Sequence, residues 1–123
     1  MAITPEELRA KMVQIAGRYL ERMTRELAQL RAMIDDAAGG NLDVVREIEA
    51  LTHRMHGSGA MLHFEEISSH AGDLERMSAG FIAAGNVDQP RMLAAYEKLK
   101  AATDKARAER AANAEQGMDS TPH

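Results

Sequence analysis

A chain of 123 residues, 45% hydrophobic and 28% charged, has room for one domain with one core and little else. It contains no cysteine, which excludes disulfides, thiolate metal sites and cysteine nucleophiles. A net charge of −4, with two Tyr, two Phe and no Trp, argues against nucleic acid as a partner, since neither a basic surplus nor a platform for stacking bases is present.

The composition is helical: 22 alanines and nine methionines stand against four valines and six isoleucines. The first segment opens with Thr4-Pro5-Glu6-Glu7, a capping residue, a proline suited to the first helical position and a capping-box glutamate. Leu8, Met12, Ile15, Tyr19, Met23, Leu27, Leu30 and Ile34 follow at steps of three or four, one apolar stripe running to about Ala38. Gly39-Gly40 stops it, and Gly17 suggests a bend between a short leading helix and a longer one.

The second segment runs from a cap at Asp43 to about Leu62, with Val44, Ile48, Leu51, Met55 and Leu62 as its stripe. The third, about Glu65 to Ala84, carries Ile67, Ala71, Leu74, Met77 or Ser78, and Phe81, and ends at Gly85-Asn86. Asp88 caps the fourth, Pro90 sits in its first turn, and Leu93, Tyr96, Leu99 or Lys100, and Thr103 continue the pattern. The methionines at 12, 23, 33, 55, 77 and 92 read as core filler.

Four helices with short connections predict an all-α fold, an antiparallel up-down four-helix bundle over residues 4–103 with a leading N-terminal helical segment. Residues 104–123, almost without large apolar side chains, read as a polar, frayed or disordered C-terminal tail. Because each stripe is used up by one bundle, a monomer is expected, with a dimer through the long first helix as the alternative. No apolar run reaches the roughly 20 residues of a membrane span and no signal-peptide pattern opens the chain, so a cytoplasmic location without membrane contact is expected.

The unusual stretch is Leu51-Thr-His-Arg-Met-His-Gly-Ser-Gly-Ala-Met-Leu-His-Phe64. Gly57 and Gly59 fall inside a helical pattern, where each costs roughly 1 kcal/mol relative to alanine. A helical wheel puts His53 roughly 170° from the apolar stripe, facing solvent. Its outward neighbours Ala50, Gly57 and Ala60 are small, so a partner's backbone could approach the imidazole closely. The plainer reading is that both glycines merely allow tight helix packing around an ordinary exposed histidine.

His53-Arg54-Met55-His56-Gly57-Ser58-Gly59-Ala60, followed by Phe64 and later Leu74-Glu75, resembles the histidine phosphotransfer (HPt) family. That family's pattern is His, any residue, Leu or Met, usually Lys, Gly, then small residues, on a helix of a four-helix bundle. The resemblance implies a phosphorelay intermediate of a bacterial two-component system, passing a phosphoryl group between receiver-domain aspartates or from a histidine kinase. His53 would be the phosphoacceptor, and Gly57 would leave room for the receiver, with Ala50 and Ala60 on the docking surface. Glu75, 22 residues after His53, would hold one ring nitrogen and leave the other nucleophilic. Ser58, near the bundle-facing side, would hydrogen-bond between helices. Two positions depart from the pattern: His56 replaces the usual Lys, leaving phosphate stabilisation to a pH-sensitive imidazole with help from Arg54, and His63 stands where Gly commonly precedes Phe64.

In this reading the chain is no kinase and needs no cofactor of its own, magnesium belonging to the partner's receiver domain. Its partners would be response-regulator receiver domains and a sensor or hybrid histidine kinase. Two rivals remain. One is a metal stripe through His53, His56, His63 and His70, which requires one helix to continue past His63. The other is a helical adaptor that docks a receiver domain without being phosphorylated.

Overall fold

The computed structural model describes residues 2–119, with side chains through residue 114. It contains α1 (Pro5–Asp36), α2 (Leu42–Met61), α3 (Glu65–Ala84) and α4 (Gln89–Asp119). Each helix packs on its neighbours in sequence and α4 closes the ring on α1, which is the expected up-down bundle. No described helix is long and apolar enough to cross a membrane.

The helix ends follow local chemistry. Thr4 Oγ1 accepts from the backbone N–H of Glu7 at 3.1 Å, with Pro5 behind it. The cap of α2 is Asn41 and not Asp43: the Asn41 Oδ1 accepts from the N–H groups of Asp43 and Val44 at 3.2 and 3.3 Å. Asp43 instead sits in the first turn, where its charge suits the helix N-terminus and pairs with Arg46 at 2.8 Å. Asp88 Oδ1 accepts from Arg91 N–H at 3.2 Å, as its position predicts. Between α2 and α3 the chain turns at His63, whose φ of 64° lies in the left-handed region that favours glycine.

The core is built largely from the predicted stripes, with Val45 buried in α2 where Val44 was expected. Met23, Leu30, Ile34, Ile48, Leu51, Met55, Ile67, Leu74, Met92 and Leu99 are fully buried. Two threonines join them at little cost, because Thr52 and Thr103 donate to carbonyls one turn back, those of Ile48 and Leu99. At the start of α4 it is Met92 that is buried, with Leu93 only half-buried.

Three further expectations are corrected. First, the leading segment is not a separate helix: it is continuous with the first bundle helix, and α1 runs unbroken through Gly17 for 32 residues. The missing side chain serves another purpose: the Arg110 guanidinium lies over Gly17 and donates to the Val13 carbonyl at 2.9 Å. Second, Leu8, Met12 and Ile15 lie outside the core, because α2 and α3 have no residues level with them. Third, α4 passes Asp104 without interruption and continues to Asp119. Ala106 packs on the core, Lys105 pairs with Glu66 at 2.9 Å and Arg110 ties α4 to α1. Alanine, arginine and glutamate supply helix propensity where large apolar residues are missing. Residues 120–123 of the expected tail lie outside the described residues.

The α2–α3 contact is close at Gly59. A β-carbon there would come within 3.1 Å of the Ser68 backbone nitrogen and of the Tyr19 hydroxyl, itself held by stacking of Tyr19 on Phe64. Helix backbone cannot yield as a side chain can. Gly59→Leu is therefore expected to destabilise the fold by about 3 kcal/mol, read as a lowered urea midpoint. An unchanged midpoint would show that α2 and α3 separate freely.

Candidate functional site

The outer face of α2 carries His53, with 73% of its side chain exposed. Leu51, Thr52 and Met55 point inward and anchor this stretch in the core. Ala50, Gly57 and Ala60 are exposed around His53, and a β-carbon at Gly57 would meet nothing within 4 Å. The two glycines thus have different surroundings: Gly59 faces the α3 backbone, and Gly57 faces solvent beside the imidazole.

The imidazole leans toward α3. His53 Nδ1 lies 2.6 Å from Glu75 Oε2, and His56 Nδ1 lies 3.1 Å from Glu75 Oε1. One carboxylate therefore serves two rings from α2. Glu75 is held below the usual carboxylate range, chiefly by its hydrogen bond with His56; desolvation opposes this, and His53 adds a further lowering contribution. An ionised carboxylate only accepts hydrogen bonds, so both Nδ1 atoms carry the proton and donate. In neutral His53 this leaves the lone pair on Nε2, the ring nitrogen not engaged by Glu75.

His56 reaches Glu75 because Gly72 makes room. A β-carbon at Gly72 would lie 3.1 Å from Cε1 and 3.2 Å from Nδ1 of the His56 ring. Ser68 fastens the same seam, its hydroxyl donating to the His56 carbonyl at 2.9 Å. Sequence reasoning missed both residues. Gly72, a glycine inside a helical pattern three residues before Glu75, was the available signal.

Ser58 does not have the expected role. It is half-buried, and among the described residues the serine hydroxyl that bonds across from one helix to the other is that of Ser68. Arg54 is exposed beside His53, with no ion pair among the described residues. The metal stripe does not form, because the turn at Leu62–Phe64 ends the helix before His70. His56 faces Glu75, His63 is exposed in the turn, and His70 lies 3.8 Å from Asp73.

The site is thus a solvent-facing histidine on a four-helix bundle, contacted at one ring nitrogen by Glu75 and bordered by small residues. The family model described as Hpt domain matches residues 8–115. The chain belongs to the Hpt domain family, whose role is histidine phosphotransfer in phosphorelays. Members are phosphotransfer modules that interact with receiver domains and histidine kinases. The comparison with curated proteins and the comparison with solved structures each find no match.

Proposed function

We propose that this protein is a cytoplasmic intermediate of a bacterial two-component phosphorelay, carrying the phosphoryl group on Nε2 of His53. The observation that carries the proposal is the 2.6 Å contact of His53 Nδ1 with Glu75, which directs the other ring nitrogen outward. In the accepting step Nε2 attacks the phosphorus of a receiver's aspartyl phosphate. The N–P bond forms as the O–P bond breaks, and the aspartate leaves as carboxylate. The ring gains positive charge because Nδ1 keeps its proton, and the Glu75 carboxylate offsets that charge through the hydrogen bond. Donation to a second receiver is the reverse sequence. Magnesium and the remaining phosphate ligands belong to the receiver, and the chain needs no cofactor of its own.

His56 replaces the more usual lysine and acts through Glu75, while Arg54 stands free to meet the phosphoryl group. Ala50, Gly57 and Ala60 form the surface on which the receiver sits. To test this, the chain is mixed with phosphorylated receiver domains and magnesium, and label is followed onto it. An adduct labile in acid and stable in base supports a phosphohistidine. A receiver that binds without any transfer would make the protein an adaptor.

Gly57 separates docking from folding. Gly57→Leu is expected to leave stability equal or higher, since leucine favours helix by up to about 1 kcal/mol over glycine. The added side chain obstructs the approach to His53, and transfer falls on the order of tenfold. Transfer at the wild-type rate would mean that the receiver docks elsewhere.

A further inference from the structure

α1 and α4 have 32 and 31 residues, whereas α2 and α3 have 20 each. The long pair is held antiparallel in one register: Gln89 donates to the Ile34 carbonyl and Arg110 to the Val13 carbonyl, contacts 21 residues apart on both helices. The bundle proper begins at Tyr19, the first buried residue of α1, which stacks on Phe64 of the α2–α3 turn. Beyond that turn Pro5–Arg18 continues for roughly 20 Å, with α4 alongside, as a two-helix arm. Leu8, Met12 and Ile15 keep the spacing of the core stripe, yet are 49%, 57% and 48% exposed. Among the described residues no helix covers them. The arm is half of a four-helix bundle, and the reason for expecting a monomer does not hold there.

We propose that a second copy of this chain covers the stripe, the two arms packing antiparallel about a two-fold axis near Met12. The pattern is self-complementary about that residue. Leu8 and Ile15 lie within about 20° of each other on the wheel, and their midpoint falls half a residue before Met12. Glu7 and Arg18 lie within about 20° of each other on one flank, with a midpoint half a residue beyond it. A two-fold there sets Leu8 on Ile15 of the partner copy and Glu7 beside its Arg18. Among the described residues neither Glu7 nor Arg18 has an ion-pair partner. No other occupant is specified by both the apolar and the charge pattern. The arrangement leaves His53, on the outer face of α2, open in both copies.

The test is the mass of the full chain in solution from about 1 to 200 µM, where mass action shifts a weak dimer. The expected result is a rise toward twice 13.5 kDa. Met12→Glu restores the single-chain mass with unchanged helicity, since Met12 is not a core residue. Glu7→Arg and Arg18→Glu each weaken association roughly tenfold, and the double exchange restores it. Because the chain has no cysteine of its own, Met12→Cys provides the only thiol, and a short bismaleimide is expected to link two copies there and not through Ala2→Cys. A single-chain mass at every concentration overturns the proposal. In that case slow labelling of the Met12→Cys thiol assigns the stripe to the chain's own C-terminal residues, and fast labelling to a different protein. Association that survives Met12→Glu also overturns it.

Discussion

His53→Gln abolishes phosphoryl transfer, to below about a thousandth of the wild-type rate, while leaving thermal stability within about 0.5 kcal/mol. The two halves of this expectation have separate causes. Glutamine approximates the reach of imidazole but presents an amide, whose nitrogen lone pair is delocalised and cannot attack phosphorus. The fold is nearly indifferent because the His53 side chain is 73% exposed and the glutamine amide can still donate to Glu75. His56→Gln is the matched control, since it removes a histidine one turn away and keeps His53. Label on His56→Gln but not on His53→Gln fixes the acceptor. Label persisting on His53→Gln would move it to another of the five histidines. Reduced label together with a lowered melting temperature would indicate that His53 supports the fold and would remove the argument for a dedicated acceptor.

Much of this site was legible before any coordinates, because it depends on direction around a helix, which periodicity reports. The wheel places His53 outward with Ala50, Gly57 and Ala60, and all four are exposed. The boundaries of α3 follow from Phe64 and Gly85, and its spacing carries Glu75 to the flank that meets α2. What periodicity does not report is how far a neighbouring helix extends. The stripe of α1 runs evenly through Leu8, Met12, Ile15 and Tyr19, yet the core begins only at Tyr19, because α2 and α3 end there.

Nor does spacing along one helix give the register between two. Gly57 and Gly59 look alike in the sequence, and only the closeness of Ser68 shows which of them the packing needs. Ser58 and Ser68 exchange roles for the same reason: the bridging hydroxyl belongs to α3, where the gap between the helices is narrow enough to span. Gly17 reads as a bend until Arg110, 93 residues later, is seen to occupy the space it leaves. Long-range contacts of this kind leave no local pattern, whereas caps such as Thr4 and Asp88 do.

Glu75→Ala is expected to slow transfer on the order of 10- to 100-fold without moving the acceptor. Two contributions are lost together: the contact that keeps the proton on Nδ1 of His53, and the negative charge that offsets the phosphorylated ring. Glu75→Gln separates them. Its amide oxygen still accepts from one imidazole but carries no charge, so its rate should fall between those of wild type and alanine. The pH dependence has a definite sign. The carboxyl is held below its ordinary value of 4.5 in the folded protein, with the His56 hydrogen bond the largest cause. Stability from ionised Glu75 is therefore fully present above that ordinary value and is lost as pH falls through the lowered one. Wild type and Glu75→Gln should differ above that ordinary value and converge in acid, as followed by urea unfolding at each pH. Because His56 is the main cause, His56→Ala should move the titration of the Glu75 carboxyl carbon upward in NMR, and Gly72→Leu, which displaces the His56 ring, should move it in the same direction. A Glu75 titration insensitive to both variants would mean that His56 does not hold the carboxylate, and that the contact with His53 stands alone.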